Sequence, residues 1–508
     1  MIRTWWSTAS KGTRILAVLV GLHVVVKVAL FTQVGNIPVC CDQVSYDDGA
    51  KALSNFVRDL VGFGPVHVAE LQRNLVGGGW FTPGSSMMLT PLYLVDPDAS
   101  TTAVRAYLGL VSTLLLLGTV VSVRRVLGDL YAAVLLVVPG LVPMYLLFSY
   151  SAWGDLVAGL FATILLMELI TIFRTLLTGQ APSLRAGVRF GLAAIATVFT
   201  RSSTSLLVIG MGVVIGLAAL LLLRGRTRGR AIVSFAVAAA TFGAILAPWS
   251  VFASRTLDAR VLTTTTVPIV LANTFGDRDR VCFSPCDPVQ NPGSILGNIW
   301  FPPMQYSREV ARATGRSEVE VEKQMWTYTR GSITAHGYAH DVIGDFWRYA
   351  GIPASFARLL IPHDAEGGFV YWVIVIATYL GWFSLLLASF ALLLSVVRRS
   401  VDQQVISLLT TLSLGALFTQ PFIHVGTGRY WTTAAPLAAI AVGLLITLVN
   451  AQRRTPLFSA LSVRMAPEVP AGSVVPEQQV RRWLSVAQGV LAGVTVLVIV
   501  LVLALGLT

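Results

Sequence analysis

Residues 11–60 read "KGTRILAVLVGLHVVVKVALFTQVGNIPVCCDQVSYDDGAKALSNFVRDL" and join an apolar run to an acidic segment. The run 13–34 is long enough to cross the hydrocarbon core of a bilayer. It lacks a small-residue cleavage site and leads into further apolar runs, so we expect a retained span and not a signal peptide. The acidic segment carries an apolar stripe at helical spacing, which predicts an amphipathic helix in the membrane interface. The stripe consists of Tyr46, Ala50, Leu53, Val57 and Leu60.

The composition continues this pattern over the whole chain. Hydrophobic residues make up 55% of the 508 residues and charged residues 12%, and the mean hydropathy is +0.72. These values exclude an ordinary soluble domain and predict an all-α polytopic membrane protein. We expect about eleven transmembrane helices and two external loop regions that contain amphipathic helices. The predicted spans are 13–34, 103–123, 128–149, 155–176, 186–200, 203–223, 231–254, 369–397, 403–421, 430–450 and 483–507.

Basic residues predict the orientation of these spans. They gather in every second connection, which by the positive-inside rule is cytoplasmic. We therefore expect a multi-pass protein of the cytoplasmic membrane with its N-terminus inside. The net charge of +12 then reports topology and not binding to nucleic acid. The predicted cytoplasmic arginines include Arg14, Arg124, Arg125, Arg174, Arg189, Arg224, Arg226, Arg228, Arg230, Arg398, Arg399, Arg453, Arg454, Arg464, Arg481 and Arg482.

The same topology divides the chain into seven segments. Two of them are long external loops, and in the second loop Ser317 and Glu320 form a capping box that predicts a helix start. A further short helix is expected around 338–349. The segments are 1–34 with the first span, 35–102 as first external loop, 103–254 with spans two to seven, 255–368 as second external loop, 369–450 with spans eight to ten, 451–482 as cytoplasmic linker, and 483–508 with the last span.

All four cysteines fall in the two predicted external loops. Cys40 and Cys41 are in the first loop, and Cys282 and Cys286 are in the second. Their placement predicts disulfides in an oxidising compartment, and three pairings are open. A link between the two pairs would join the loops. A four-cysteine zinc site is the alternative, but adjacent cysteines and a three-residue gap suit it poorly.

Several motifs resemble the bacterial glycosyltransferase 39-like proteins, members of the C-type superfamily that uses polyprenyl-phosphate sugars. The segment "DQVSY" places Asp42 and Tyr46 as in the family's "D-E-x-x-Y" helix, and "WFTPGSSMMLTPLYLV" places Tyr93 as in its "P-P-L-Y" segment. Gln43 stands where the family has its second acid, and Thr90 stands where it has its first proline.

The resemblance continues towards the C-terminus in the family's order, over most of residues 13–450. The turn "SYSAWGD" carries a second aspartate, Asp155, and "ATVFTRSSTS" has Arg201 in the place of a lysine. The segment "GTGRYWTTAAP" resembles the family's "R-Y-x-x-P-x-x-P" and supplies Arg429 and Tyr430. Thr433 replaces the first of those two prolines.

The resemblance implies inverting transfer of a sugar from a polyprenyl-phosphate donor to an acceptor hydroxyl at the outer face. Such a reaction needs a carboxylate that takes the hydroxyl proton, and Asp42 is the candidate base. It also needs cations at the leaving phosphate, and Arg201 and Arg429 are the candidates. Mannose and arabinofuranose are the expected sugars, and the acceptor is a cell-envelope glycan, a glycolipid or a protein. Asp155, Tyr46, Tyr93, His424 and Tyr430 are further candidate site residues.

No cofactor is required by the sequence, although Asp42 with Asp47 or Asp48 could hold a divalent cation. The i, i+4 pair of His336 and His340 could bind a metal, but no third ligand is evident.

Other candidate residues have ordinary structural interpretations. The two arginines could be helix-end residues, and Asp155 could cap a helix. Lys27 and His23 share one face of the first span, where an ionisable residue suggests function, but Lys27 is expected to reach lipid phosphate. Aromatic residues near the interface could stack on sugars or anchor helices in the membrane. They are Trp80, Tyr93, Trp326 and Trp347.

Three other classes of protein remain open. A polymerase or ligase of the O-antigen type uses a similar donor but is expected to place its arginine and histidine in one large late loop. A transporter would also be polytopic, but no inverted repeat is visible in the sequence. A non-catalytic scaffold is the third alternative, which Gln43 and Thr90 leave open.

Overall fold

The computed structural model describes residues 9–275, 282–283, 287–288, 307, 311–312, 315–351, 368–394, 400–424, 428–466 and 475–507. It is an all-α polytopic membrane protein, as predicted. The helices are α1 Lys11–Val34, α2 Asp42–Val61, α3 Val68–Leu71, α4 Gly84–Val95, α5 Thr101–Leu127, α6 Asp129–Val137, α7 Pro143–Phe148, α8 Asp155–Leu177, α9 Leu184–Thr200, α10 Ser205–Leu222, α11 Gly225–Thr256, α12 Thr266–Thr274, α13 Glu318–Thr329, α14 Ala335–Gly351, α15 Phe369–Leu394, α16 Val401–Phe418, α17 Trp431–Asn450 and α18 Glu477–Gly506. Two short strands, β1 Cys282–Phe283 and β2 Asp287–Pro288, pair antiparallel.

Nine helices of the described residues are long and apolar enough to span a membrane, and they match nine of the eleven predicted spans. The predicted span 186–200 is α9, a helix of 17 residues. At 1.5 Å per residue it is roughly 26 Å long, at the lower limit for crossing the hydrocarbon. The predicted span 128–149 is wrong as one helix, because it is divided into α6 and α7.

The break between α6 and α7 lies at Pro139 and Gly140. Proline lacks the N–H that would continue the helix, so backbone carbonyls lose their intrahelical partners. Such a carbonyl in a membrane protein needs another donor. The Nδ1 atom of His23, on α1, lies 2.6 Å from the carbonyl oxygen of Gly140 and is buried with it. His23 therefore has a structural role that the sequence interpretation missed.

The prediction that Lys27 reaches lipid phosphate is wrong, because its side chain is buried between α1 and α5. Its ammonium donates to the carbonyl of Gly109 at 2.6 Å and to the hydroxyls of Ser112 and Thr113 at 2.7 and 2.8 Å. The Tyr150 hydroxyl donates back to the Lys27 carbonyl at 2.5 Å. The ammonium therefore joins two helices inside the bundle, where three acceptors replace water.

Polar contacts hold together the segments that connect the helices, at each of the two opposite ends of the bundle. At one end, Arg124 pairs with Asp129 at 2.7 Å, and the Ser462 hydroxyl donates to Asp129 at 2.7 Å. The linker that follows α17 is therefore fixed to the end of α5. At the other end lie the starts of α2 and α8 and the turns after α9 and before α17, which form the site described below.

α2 packs on α4 and is held there by a buried polar contact at its start. The Ser86 hydroxyl of α4 donates to the Tyr46 carbonyl at 2.9 Å. Of the predicted apolar stripe, Tyr46 and Ala50 are buried, whereas Leu60 is 57% exposed. The stripe therefore packs on protein near the start of the helix and is accessible at its far end.

Arg105 ties the start of α2 to the bundle. Its guanidinium donates to the carbonyls of Ile37, Pro38 and Tyr150 and, at 3.0 Å, to the side-chain oxygen of Gln43. The same Gln43 oxygen accepts from the Ala152 amide at 3.1 Å. In the described part of the chain Arg105 makes no ion pair, so its buried charge depends on these neutral acceptors.

Two replacements of Gln43 should therefore separate the loss of a hydrogen-bond acceptor from the addition of a negative charge beside Arg105. Gln43→Leu removes an acceptor from Arg105 and from the Ala152 amide, and should lower the free energy of unfolding by about 1–3 kcal/mol. Gln43→Glu places a carboxylate against Arg105, and should keep or raise the melting temperature. Thermal unfolding in detergent measures both, with Gln33→Leu on the exposed end of α1 as control. A destabilising Gln43→Glu would contradict the assigned contact.

Candidate active site

Four charged residues from four separate connections meet at one end of the bundle. Asp42 is the first residue of α2, and Asp155 is the first residue of α8. Arg201 directly follows α9, and Arg429 lies in the 3-10 turn Gly428–Tyr430 that precedes α17. A carboxylate in the first turn of a helix interacts favourably with the helix dipole, which suits both aspartates to these positions.

The four side chains form a connected set of ion pairs, which we call the Asp–Arg cluster. Arg429 Nη1 lies 3.0 Å from Asp42 Oδ2, and Arg429 Nε lies 3.5 Å from Asp155 Oδ2. The other oxygen of Asp155 accepts a hydrogen bond from Arg201 Nη1. Asp155 therefore bridges both guanidiniums, and Asp42 pairs with Arg429. The sequence predicted all four residues as site residues, and the structure brings them together.

Exposure distinguishes the two aspartates. The Asp155 side chain is 0% exposed, whereas the Asp42 side chain is 33% exposed. The guanidiniums of Arg201 and Arg429 are intermediate, at 12% and 13%. Asp155 is thus placed to orient the arginines, and Asp42 is the carboxylate that an external molecule can contact.

Aromatic rings form one side of the cluster. The Tyr430 ring lies beneath both guanidiniums, at 4.2 Å from Arg201 and 5.4 Å from Arg429, and the Trp153 ring lies 5.5 Å from Arg429. The Tyr430 hydroxyl is 2.9 Å from Nε2 of the buried His424. A ring face stabilises a guanidinium that has left water. The predicted residues Tyr430 and His424 therefore belong to the site.

Burial and neighbouring charge determine how these groups ionise. Burial lowers the pKa of Arg201 to about 10, so the guanidinium stays charged at neutral pH. Burial alone would lower the pKa of Arg429, but the Asp42 carboxylate beside it leaves that pKa raised. Burial and the nearby Asp42 charge raise the pKa of Tyr46, which keeps its phenol neutral. The cluster therefore carries two positive and two negative charges when both aspartates are ionised.

Two glycines allow the connections of the cluster to approach each other. Gly154, which precedes Asp155, has φ +74°, and a Cβ there would lie 2.7 Å from Ser85 Oγ. A Cβ on Gly84, the first residue of α4, would lie 2.3 Å from the Phe199 carbonyl oxygen. The start of α4 thus packs directly against the turns that carry Asp155 and Arg201.

The residue before Asp42 has an unusual backbone. Cys41 has φ +59°, a region that residues with a side chain rarely adopt and that costs energy. Such a conformation persists only where the surrounding structure fixes it, and here Arg105 and Gln43 hold both sides of the bend. The bend directs Asp42 towards Arg429.

The disulfide prediction concerns the same bend. Cys40 and Cys41 are free thiols in the structure, with their sulfur atoms 3.0 Å apart. Burial and the neighbouring Cys40 raise the pKa of the Cys41 thiol to about 12. Cys286 and the side chain of Cys282 lie outside the described residues. The structure therefore contains no disulfide at Cys40 or Cys41, so the predicted disulfides are wrong at these two positions.

Part of the second predicted external loop reaches the cluster. Trp431 Nε1 donates to the Tyr349 carbonyl of α14 at 2.7 Å, and both residues are buried. Trp431 is next to Tyr430 in sequence, so α14 packs directly beside the site. The predicted aromatic residue Trp347 is 73% exposed on the same helix.

Two other predicted aromatic residues lie apart from the four charges. The Tyr93 hydroxyl donates to Asp47, and the Tyr93 ring lies 5.3 Å from the Lys51 ammonium, so Tyr93 joins α4 to α2. Trp80 Nε1 donates to Glu322 of α13 at 2.5 Å, which connects the two predicted external loops. Neither contact includes the Asp–Arg cluster.

The histidine pair of α14 contacts the end of α18. Nδ1 of His336 lies 2.8 Å from the Leu505 carbonyl, and Nδ1 of His340 lies 3.4 Å from the Gly506 carbonyl. These carbonyls belong to the last turn of a helix and need donors. Within the described ranges, no group of three potential ligands is placed to hold a metal ion.

Sequence reasoning missed Arg105 and Trp153 as residues that shape the site. Arg105 was counted among the residues of a predicted span, although an arginine near the predicted external end of a span is a signal for a buried polar partner. Trp153 precedes Asp155 by two residues in the turn "SYSAWGD". Contacts to residues far away in sequence could not be read from either position.

Comparison with known proteins adds no family to this description. Neither a scan against protein-family models nor a search of curated proteins finds a match to the chain.

Gly154→Ala should disturb the site through packing. The added methyl would contact Ser85 and Thr200 in a backbone conformation that alanine disfavours, at a cost of about 1–3 kcal/mol. The matched control is Gly212→Ala on α10, where nothing lies within 4 Å. We expect a lower melting temperature for Gly154→Ala alone, measured by thermal unfolding in detergent. Equal melting temperatures for both variants would contradict the close approach.

Proposed function

We propose that the protein transfers a sugar from a polyprenyl-phosphate donor to an acceptor hydroxyl. One observation carries the proposal: an accessible carboxylate, Asp42, lies 3.0 Å from a guanidinium that a buried aspartate holds beside a second guanidinium. A base and a paired cationic site thus lie within one cluster. Transfer of a sugar from a phosphate carrier requires these two elements next to each other.

The proposed reaction is a displacement at the anomeric carbon. The acceptor oxygen forms a bond to that carbon while the bond between the carbon and the phosphate oxygen breaks. Asp42 takes the proton of the acceptor hydroxyl, and the polyprenyl phosphate leaves with the electron pair. Attack on the face opposite the phosphate inverts the anomeric configuration.

The two arginines stabilise the leaving group in this proposal. The donor phosphodiester carries one negative charge, and the departing phosphate monoester carries a second one that develops in the transition state. Guanidiniums that are already oriented in a largely buried site stabilise such charge without reorganisation. Asp155 is the positioning residue, because it contacts Arg201 and Arg429 and is itself buried.

The predicted topology places the cluster at the outer face of the cytoplasmic membrane. The lipid chain of the donor would then stay in the bilayer while its phosphate and sugar reach the ends of the helices. The exposed end of the α2 stripe and the helices α13 and α14 would border this entrance. Mannose and arabinofuranose remain the proposed sugars.

Asp42→Asn should strongly reduce transfer and keep donor binding. The amide cannot accept the proton, and loss of a general base lowers turnover by about 10²–10⁴-fold. The measurement uses purified protein in lipid, radiolabelled polyprenyl-phosphate mannose or arabinose, and a cell-envelope glycolipid extract as acceptor. Asp48→Asn is the matched control, since it removes an exposed acid from the same helix.

The outcomes separate the candidate classes. Loss of transfer in Asp42→Asn alone supports the assigned base, whereas equal activity in both variants contradicts it. A wild-type protein that binds neither donor contradicts the glycosyltransferase proposal and favours a transporter or scaffold.

Asp155→Asn should weaken donor binding more than it affects proton transfer to Asp42. Loss of the bridging charge releases both guanidiniums from their fixed orientation, so we expect a KM for donor raised about tenfold or more and a smaller change in kcat. Initial rates at varied donor concentration measure the two parameters. Because removal of a buried partner also destabilises the protein, rates are normalised to the folded fraction. A drop in kcat with unchanged KM would contradict the positioning role.

A further inference from the structure

A cavity of about 520 Å³ lies at the opposite end of the bundle from the Asp–Arg cluster. Its walls are the last turns of α5 and α8, the start of α16, the start of α18 and the linker residues 464–466. Its volume falls in the range of pockets that hold small molecules. Nothing in the proposed transfer reaction uses it.

The walls of the cavity are held by one buried ion pair. Arg174 Nε and Nη2 each lie 2.7 Å from an oxygen of Asp402, in a two-pronged contact. The same guanidinium donates to the Val126 carbonyl at 2.7 Å, and Asp402 accepts from the Ala466 amide at 3.0 Å. α5, α8, α16 and the linker therefore meet in a fixed arrangement.

The cavity has an excess of positive charge. Four arginines and two acids line it, and the acids are paired: Asp402 with Arg174, and Glu477 with Arg481 at 2.6 Å. The remaining guanidiniums are Arg125 and Arg464, which are exposed and make no ion pair among the described residues.

The position of the cavity indicates the kind of anion. Its walls are the ends of four membrane-spanning helices, so it opens at the level of lipid headgroups. Apolar side chains stand beside the arginines, among them Val126, Leu177, Val401 and Met465. Basic pockets between spans at a membrane surface bind phosphate headgroups while the glycerol and acyl chains contact apolar surface.

We propose that this basic cavity binds the phosphate of an anionic phospholipid headgroup, with Arg125 and Arg464 as its ligands. The phosphate offsets part of the excess positive charge of the cavity, and the apolar wall receives the start of the lipid. A bound lipid would join the linker to the ends of α5 and α8. Free phosphate has the same charge chemistry, and the experiment distinguishes it from lipid.

The test is native mass spectrometry of the full-length protein released from detergent. The wild type is compared with the double variant Arg125→Gln/Arg464→Gln, and with Arg226→Gln/Arg230→Gln as a control that removes two exposed arginines outside the cavity. Each protein is titrated with phosphatidylglycerol, with phosphatidylcholine and with inorganic phosphate. The Arg464 guanidinium also donates a hydrogen bond to the Arg125 carbonyl at 3.3 Å, which the double variant removes. The single variant Arg125→Gln is therefore included, because it removes a positive charge and keeps this donor.

We expect the wild type and the control to retain phosphatidylglycerol over phosphatidylcholine, and both cavity variants to lose about tenfold or more in affinity. Equal retention by the cavity variants and the control overturns the proposal. Competition by inorganic phosphate at the concentration of the lipid overturns the lipid as the source and assigns the site to free phosphate.

Discussion

The described site depends on the contact of the buried Asp155 carboxylate with the guanidiniums of Arg201 and Arg429. The carboxylate lies between two guanidiniums that have largely left water, and each of the three groups would be costly there alone. Together with Asp42 they form a set with no net charge. Such a set is stable only when its geometry is fixed, because removal of one member leaves an uncompensated buried charge. The connections that carry these residues must therefore meet closely.

The surrounding fold supplies this close approach. Gly154 and Gly84 let the start of α4 contact the turns beside Asp155 and Arg201. Arg105 and Gln43 hold the bend before Asp42, which would otherwise be free to move with its loop. At the opposite end, Arg174 and Asp402 fix the helix ends and the linker. Both ends of the bundle are thus held by charge pairs that join residues far apart in sequence.

Length and apolar periodicity were enough to predict the fold class and nine of the spans, because the bilayer imposes a fixed length on a continuous helix. They failed at 128–149, where an apolar run conceals the break at Pro139 that His23 stabilises. The motif order predicted Asp42, Asp155, Arg201 and Arg429 as site residues. It could not predict their pairing, since Asp42 and Arg429 are 387 positions apart. Lys27 and Tyr93 also show this limit, because the sequence could not show the buried contact of Lys27 with Gly109 or the hydrogen bond of Tyr93 to Asp47.

The most direct measurement is a structure determined with a bound polyprenyl-phosphate sugar whose anomeric bond resists cleavage. If the proposed transfer is correct, phosphate density will lie within hydrogen-bonding distance of Arg201 and Arg429, with the anomeric carbon facing the Asp42 carboxylate. Donor density away from these residues, with the Asp–Arg cluster unchanged, would contradict it.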